Sequence, residues 1–88
     1  MLAKRCLVAG HVQGVWYRDS TRRKALQLGV SGRANNLADG RVEVIACGEA
    51  EAVNALCDWL WQGSDLSQVS DVECEDYHGP KVEGFQIG

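Results

Sequence analysis

The chain has 88 residues, 45% of them hydrophobic and 24% charged, and a formal net charge of −3. This size and composition predict one globular domain over residues 1–88 and argue against disorder, and no apolar run reaches the roughly 20 residues that cross a bilayer. The apolar start of the chain stops at Gly10, which is too short for a signal-peptide core, so we expect a soluble, cytoplasmic protein with no membrane partner.

The first half of the chain alternates strand and helix signals. Residues 3–9 form a short apolar run that predicts a strand, and a glycine-containing loop follows. Residues 19–28 predict a helix that Asp19 or Ser20 would cap. Alternating apolar positions over residues 30–36 predict a second strand. The buried face of the helix would carry four residues at helical spacing, Tyr17, Thr21, Ala25 and Leu28, and Gly29 would end it.

The second half follows the same order. Asp39 and Gly40 predict a hairpin turn that leads into a strand over residues 41–47. Residues 49–62 predict a second helix, residues 69–75 a fourth strand, and residues 84–87 a short last strand. The second helix would bury a stripe made of Val53, Leu56 and Leu60.

This element order predicts a ferredoxin-like α+β fold. A βαββαβ split sandwich, with two helices on one face of an antiparallel sheet, is the arrangement that right-handed crossovers allow. The short last strand would add a fifth member to the sheet. Because a fold does not specify a function, the loops have to supply the evidence for one.

The cysteines do not have the spacing of a metal site or of a disulfide scaffold. None lies in a C-x-x-C pair, and both histidines are isolated in the sequence. We expect no metal and mostly buried free thiols, and a single Cys6–Cys47 bridge stays open as an alternative. The four are Cys6, Cys47, Cys57 and Cys74.

The net charge conceals two halves of opposite sign. Residues 1–44 contain eight Lys and Arg residues against three Asp and Glu, whereas residues 45–88 contain one against nine. The acidic total disfavours a nucleic-acid partner, but the basic half could attract a small anion. The alternative is that the basic run over residues 22–24 is simply the solvated face of a helix.

The loop after the first strand has the composition of an anion site. Gly10 and Gly14 allow successive backbone N–H groups to turn into one concavity. The following helix directs the positive end of its dipole at the same place, and Arg18 offers a fork for two phosphate oxygens. The residues equally fit a tight turn with a surface arginine, and no Gly-Lys-Ser/Thr follows that would indicate a nucleotide loop.

Asn36 is the polar residue of interest at the end of the second strand. It lies on the same side of that strand as Val30, Gly32 and Ala34. If Val30 is buried, Asn36 stands at the rim of the core face, where a carboxamide can orient a water molecule. The alternative is an asparagine that only flanks the turn.

Two stretches of the chain together resemble the acylphosphatase family. Residues 10–18, GHVQGVWYR, look like its pattern G-x-V-Q-G-V-x-[FY]-R. Residues 29–43, GVSGRANNLADGRVE, look like its pattern G-x-x-G-x-x-x-N-x-x-D-G-x-V-E. Both patterns occur in order and at the family's spacing, and the resemblance covers essentially the whole chain. It implies the ferredoxin-like fold that the element order also predicts.

The resemblance implies hydrolysis of the carboxyl–phosphate bond of a small acyl phosphate, without a metal or organic cofactor. By position, Arg18 matches the family's phosphate-binding arginine, and Asn36 matches its water-orienting asparagine. The backbone N–H groups of five residues match its phosphate cradle, namely Gln13, Gly14, Val15, Trp16 and Tyr17. The leaving carboxylate, whose conjugate acid has a pKa of about 4, departs without a protein general acid.

Three positions depart from the family's usual pattern, and they would alter the rim of the site and its substrate preference. Trp16 stands where a small residue is common, Arg33 where an aromatic residue is common, and Asn35 where a basic residue is common. His11 occupies a variable position, so we do not assign it the role of a base.

Two other classes of function stay open at this stage. One is a non-catalytic module of the same fold that binds phosphate, an acyl phosphate or a partner. The other, an RNA-binding sheet, is disfavoured by the acidic chain and the absence of paired aromatic platforms. We expect a monomer, because no long apolar edge or heptad pattern demands a partner.

Overall fold

The computed structural model describes all 88 residues, from Met1 to Gly88. Every predicted element is present, and each end lies within two residues of its predicted position. No helix is both long and apolar enough to span a membrane. In chain order the elements are β1 (Leu2–His11), α1 (Tyr17–Leu28), β2 (Ser31–Asn36), β3 (Val42–Gly48), α2 (Ala50–Leu60), β4 (Gln68–Asp76) and β5 (Phe85–Ile87).

The five strands form one sheet in the order β4-β1-β3-β2-β5. The β1–β3, β1–β4 and β2–β3 pairs are antiparallel, whereas β5 runs parallel to β2. The predicted α+β architecture is therefore confirmed, and the sheet is mixed because its short edge strand pairs in parallel.

The core lies between the two helices and one face of the sheet. The predicted stripe of α2 is fully buried, and it packs in the same cluster as Val8 of β1 and Val44 of β3. Tyr17, Thr21 and Ala25 of α1 are also buried, whereas Leu28 is half-buried. Each Å² of apolar surface that is buried contributes about 25 cal/mol of stabilising free energy, and this contribution holds both helices on this face.

The start of α1 differs from the prediction. The residue before the helix, Trp16, has a left-handed backbone (φ 65°, ψ 17°), and no side chain caps the helix. The prediction that Asp19 or Ser20 is the cap is wrong, because the first helical turn already includes both. The carboxylate of Asp19 instead pairs with Arg23 at 3.0 Å, and the Ser20 N–H donates to the Trp16 carbonyl oxygen at 3.0 Å.

The two oppositely charged halves of the chain meet on the sheet. Arg5 of β1 pairs with Glu75 of β4, in the acidic half, at 3.0 Å, and with Glu43 of β3, in its own half, at 2.6 Å. Lys4 pairs with Asp76 at 2.7 Å. Much of the basic charge of β1 is thus neutralised by acidic neighbours within the fold.

The cysteines correct the expectation of free thiols. A disulfide links Cys6 of β1 to Cys74 of β4, which is its direct partner across the two strands. The alternative Cys6–Cys47 bridge is wrong because of the β1–β3 register: Cys6 lies opposite Val44, whereas Cys47 lies opposite Ala3. Cys47 is a buried free thiol.

Candidate active site

The topology brings three chain segments to one edge of the sheet. β1 and β2 are both antiparallel to β3, so they run in the same direction, and β5 runs parallel to β2. The C-terminal ends of all three strands therefore meet at one edge. The loop over residues 12–16 follows β1 there, Asn36 ends β2, and Gly88 follows β5.

Left-handed backbone positions shape the loop over residues 12–16. Gly14 has a φ of +74°, and Trp16 is the one residue other than glycine with a positive φ. At the bulge that precedes the loop, a Cβ on Gly10 would lie 2.2 Å from the Gln68 carbonyl oxygen, so only glycine fits there. The N–H groups of residues 13–17 donate to no backbone oxygen. They are therefore available to a ligand that accepts hydrogen bonds.

Two hydrogen bonds anchor this loop and the first residue of α1 to the end of α2 and the loop that follows it. The Val15 carbonyl oxygen accepts a hydrogen bond from Ser64 Oγ at 2.6 Å, and the buried Tyr17 hydroxyl donates to the Leu60 carbonyl oxygen at 2.7 Å. Burial raises the pKa of the Tyr17 phenol well above its usual value, so this donor stays protonated. The role of Ser64 could not be predicted from the sequence, where its only signal is that of a polar residue in the loop after α2.

Arg18 lies in the first turn of α1 and lines an open cavity of about 310 Å³. One guanidinium nitrogen, Nη1, donates to the backbone oxygen of Gly88, and the side chain pairs with no Asp or Glu. A guanidinium has five N–H donors, so most of its fork is left for an anion. The other lining residues are Val12, Gly14, Trp16, Tyr17, Asp19 and Ile87.

Asn36 lies where its parity along β2 predicts. It shares the helix-facing side of β2 with the buried Gly32 and Ala34, and its own side chain is exposed at the end of the strand. The structure thus brings Asn36 to the same edge as Arg18, but Asn36 is not among the residues that line the cavity.

The side chain of Gln13 connects the two predicted site segments. Its Nε2 donates to the carbonyl oxygen of Leu37 at 2.8 Å and to that of Arg41 at 3.1 Å. Leu37 directly follows Asn36, so this contact ties the loop after β1 to the turn after β2. The resemblance to the family implies a role only for the backbone N–H of Gln13, because nothing in the local sequence indicates a side-chain partner 24 residues away.

Replacing Gln13 with alanine is expected to lower the free energy of unfolding by about 0.5–1.5 kcal/mol, because two part-buried carbonyl oxygens each lose one donor and keep only a backbone N–H. Urea denaturation followed by tryptophan fluorescence measures this change. Gln27→Ala, at an exposed position of α1, is the matched control and is expected to shift stability by less than about 0.5 kcal/mol. Equal effects of the two substitutions would contradict the linking role of Gln13.

The fold and the geometry of the site together define a class of protein. It is a small α+β sandwich with free loop N–H groups, a helix N-terminus and an arginine at one edge of its sheet. Such an arrangement is suited to hold a phosphate-sized anion.

Comparisons with known proteins agree with this class. The family model described as Acylphosphatase matches residues 4–87. A curated protein from Nitrosococcus oceani named Acylphosphatase is 55% identical over 83 residues, which cover 94% of this chain and 93% of that protein. The chain therefore belongs to the acylphosphatase family, which confirms the resemblance in the two motifs.

Solved structures support the same assignment. An acylphosphatase from Coxiella burnetii superposes with a TM-score of 0.93 at 37% identity, covering 99% of this chain and 92% of that one. The acylphosphatase from Bacillus subtilis superposes with a TM-score of 0.94 at 31% identity, covering 100% of this chain and 99% of that one. The ferredoxin-like fold is thus shared with proteins of this family.

Proposed function

We propose that this protein hydrolyses the carboxyl–phosphate bond of small acyl phosphates, releasing a carboxylate and inorganic phosphate. One observation carries the proposal: the unbonded N–H groups of residues 13–17 lie beside Arg18 at the start of α1. Family membership and the names of the relatives agree with it.

The phosphate is held, in this proposal, by the loop and by Arg18. The N–H groups of Gln13, Gly14, Val15, Trp16 and Tyr17 donate to its oxygens, and the guanidinium of Arg18 adds a charge-assisted fork. The contact with Gly88 fixes this guanidinium in place before substrate arrives. Phosphoryl transfer mainly requires positioning and charge stabilisation, so these donors supply most of what catalysis needs.

Asn36 orients the attacking water in this proposal. Its exposed carboxamide stands at the sheet edge, outside the cavity wall, where a water can lie beside the bound phosphate. A carboxamide both accepts and donates hydrogen bonds, so it can fix the direction of the water's lone pair. Gln13 holds the adjoining turn against the loop and so maintains the distance between water and phosphate.

The leaving group determines how few residues the reaction needs. A departing carboxylate is a weak base with a conjugate-acid pKa of about 4, so no protein side chain has to protonate it. The proposed reaction uses no metal or organic cofactor, and the enzyme acts as a monomer.

Release of inorganic phosphate from benzoyl phosphate tests the proposal. We expect turnover of this substrate by the purified protein, unchanged by a metal chelator. Binding of phosphate without turnover of any acyl phosphate would instead identify a non-catalytic binding module. Loss of turnover on chelation would contradict the metal-free reaction.

Trp16 is proposed to contact the acyl group. The residue is 72% exposed, and together with the partly exposed Ile87 it gives the cavity an apolar wall. Trp16→Gly, which suits the left-handed backbone, is expected to lower kcat/KM for benzoyl phosphate about 10-fold. The fall for acetyl phosphate, whose methyl group is small, is expected to be only about 2-fold. Equal losses for the two substrates would contradict this contact.

A further inference from the structure

Three of the four cysteines meet at one place, away from the candidate active site. Cys6 of β1, Cys57 of α2 and Cys74 of β4 have their sulfur atoms within 4.8 Å of one another. Cys6 is fully buried, Cys57 is half-buried and Cys74 is exposed. The three thiols come from three elements that are far apart in sequence, which is why their spacing shows no metal pattern.

The structure assigns these residues a second state: with the Cys6–Cys74 disulfide reduced, we propose that the three thiolates bind one thiophilic divalent cation of the zinc type. The Sγ atoms of Cys6 and Cys57 are 3.7 Å apart. Two thiolates on a tetrahedral zinc, at Zn–S distances of about 2.3 Å, lie about 3.8 Å apart. The unlinked pair therefore already has the separation that a shared metal ion requires.

The remaining requirements of such a site are also met. Cys74 lies on the exposed side of the cluster, so a water can reach the fourth coordination position. Three thiolates and one divalent cation leave a net charge of −1. The ammonium group of Lys4 acts electrostatically on Cys57 and offsets part of that charge, although it also pairs with Asp76 at 2.7 Å.

The conversion between the two states balances with a small-molecule thiol as reductant. Two thiol molecules give two electrons and two protons to the Cys6–Cys74 bond and become one disulfide. The cation then displaces three protons, one from each of Cys6, Cys57 and Cys74. The small-molecule disulfide reverses the sequence: it takes two electrons from the Cys6 and Cys74 thiolates, which form their bond, and becomes two thiols by taking up two protons, while Cys57 takes up the third proton as the ion leaves.

The test compares reduced and oxidised protein with Zn²⁺ alone. Reduced wild-type protein should retain one equivalent of zinc after gel filtration, and Co²⁺ in its place should show sulfur-to-metal charge-transfer absorption. Cys57→Ser and Cys74→Ser are each expected to weaken zinc binding on the order of 100-fold or more. Cys47→Ser, which removes the thiol outside the cluster, is expected to bind like the wild type.

Three results would overturn the proposal. They are the absence of zinc in reduced wild-type protein, equal zinc retention by oxidised protein, and equal retention by the Cys57→Ser variant. Circular dichroism of each variant verifies the fold, and the exposed Cys74 gives a second substitution if Cys57→Ser does not fold. Benzoyl phosphate turnover is measured separately. Its failure would concern the proposed hydrolysis and leave the zinc result standing.

Discussion

Replacing Arg18 with alanine is expected to lower kcat/KM for benzoyl phosphate on the order of 1,000-fold. The guanidinium is the one cationic group of α1 that lines the cavity, and no Asp or Glu side chain forms an ion pair with it. Its loss removes both the fork for the phosphate oxygens and the charge that stabilises the transferring group. Inhibition by inorganic phosphate should weaken in parallel, because the product occupies the same donors.

Two further substitutions distinguish the contribution of the planar pair of guanidinium donors from that of the positive charge. Arg18→Lys keeps the positive charge but loses the planar pair of donors, so we expect an activity between those of wild type and Arg18→Ala. Lys24→Ala removes one positive charge from the same helix without touching the cavity and should leave turnover within about 2-fold of wild type. A folded Arg18→Ala variant within 10-fold of wild-type activity would remove Arg18 from the proposed mechanism.

The element order could be predicted because local signals agree with the tertiary packing. The apolar stripe of α2 and the alternating small residues of β2 are buried at the positions that the periodicity predicts. Gly29 ends α1 as predicted, with a φ of +72° and its N–H donated to the Ala25 carbonyl oxygen. In these segments the residues that favour the local conformation also form the apolar face that is buried in the core. No competing preference therefore shifts the bounds of the helix or strand.

Where the prediction failed, the missing information was register and long-range contact. The Cys6–Cys74 disulfide depends on which residues of β1 and β4 lie opposite each other, and strand register is not visible in the spacing of cysteines. The start of α1 depends on the left-handed turn at Trp16, which a bulky residue rarely adopts. The contact of Arg18 with Gly88 joins residues 70 positions apart.

The candidate site, too, could be predicted only in the parts that depend on local sequence. The parity of β2 placed Asn36 on the helix-facing side correctly, and the glycines predicted a loop that turns its N–H groups into one concavity, where these N–H groups have no backbone acceptor. The means of holding these parts together could not be predicted. The side chain of Gln13 reaches across to the turn after β2, and Ser64 supports Val15 from the loop after α2. Both are contacts between segments that only the folded sheet brings together.

Replacing Asn36 with alanine is expected to lower kcat for benzoyl phosphate on the order of 100-fold while KM changes little. The proposed role concerns the attacking water and not the bound phosphate, so the loss should appear in turnover and not in binding. Because the side chain is exposed, the free energy of unfolding should change by less than about 0.5 kcal/mol. Steady-state kinetics with benzoyl phosphate measures kcat and KM, and urea denaturation measures the free energy of unfolding.

A second substitution and a matched control sharpen this result. Asn36→Asp keeps the shape but replaces the N–H₂ donor with a negative charge next to the phosphate, so its kcat should fall at least as far as that of Asn36→Ala. Asn54→Ala, at an exposed position of α2, should retain wild-type kcat. A rise in KM for Asn36→Ala with kcat unchanged would mean that the carboxamide binds substrate instead of orienting water. Unchanged kinetics in a folded variant would leave the attacking water to be positioned by the loop N–H groups and the phosphate alone.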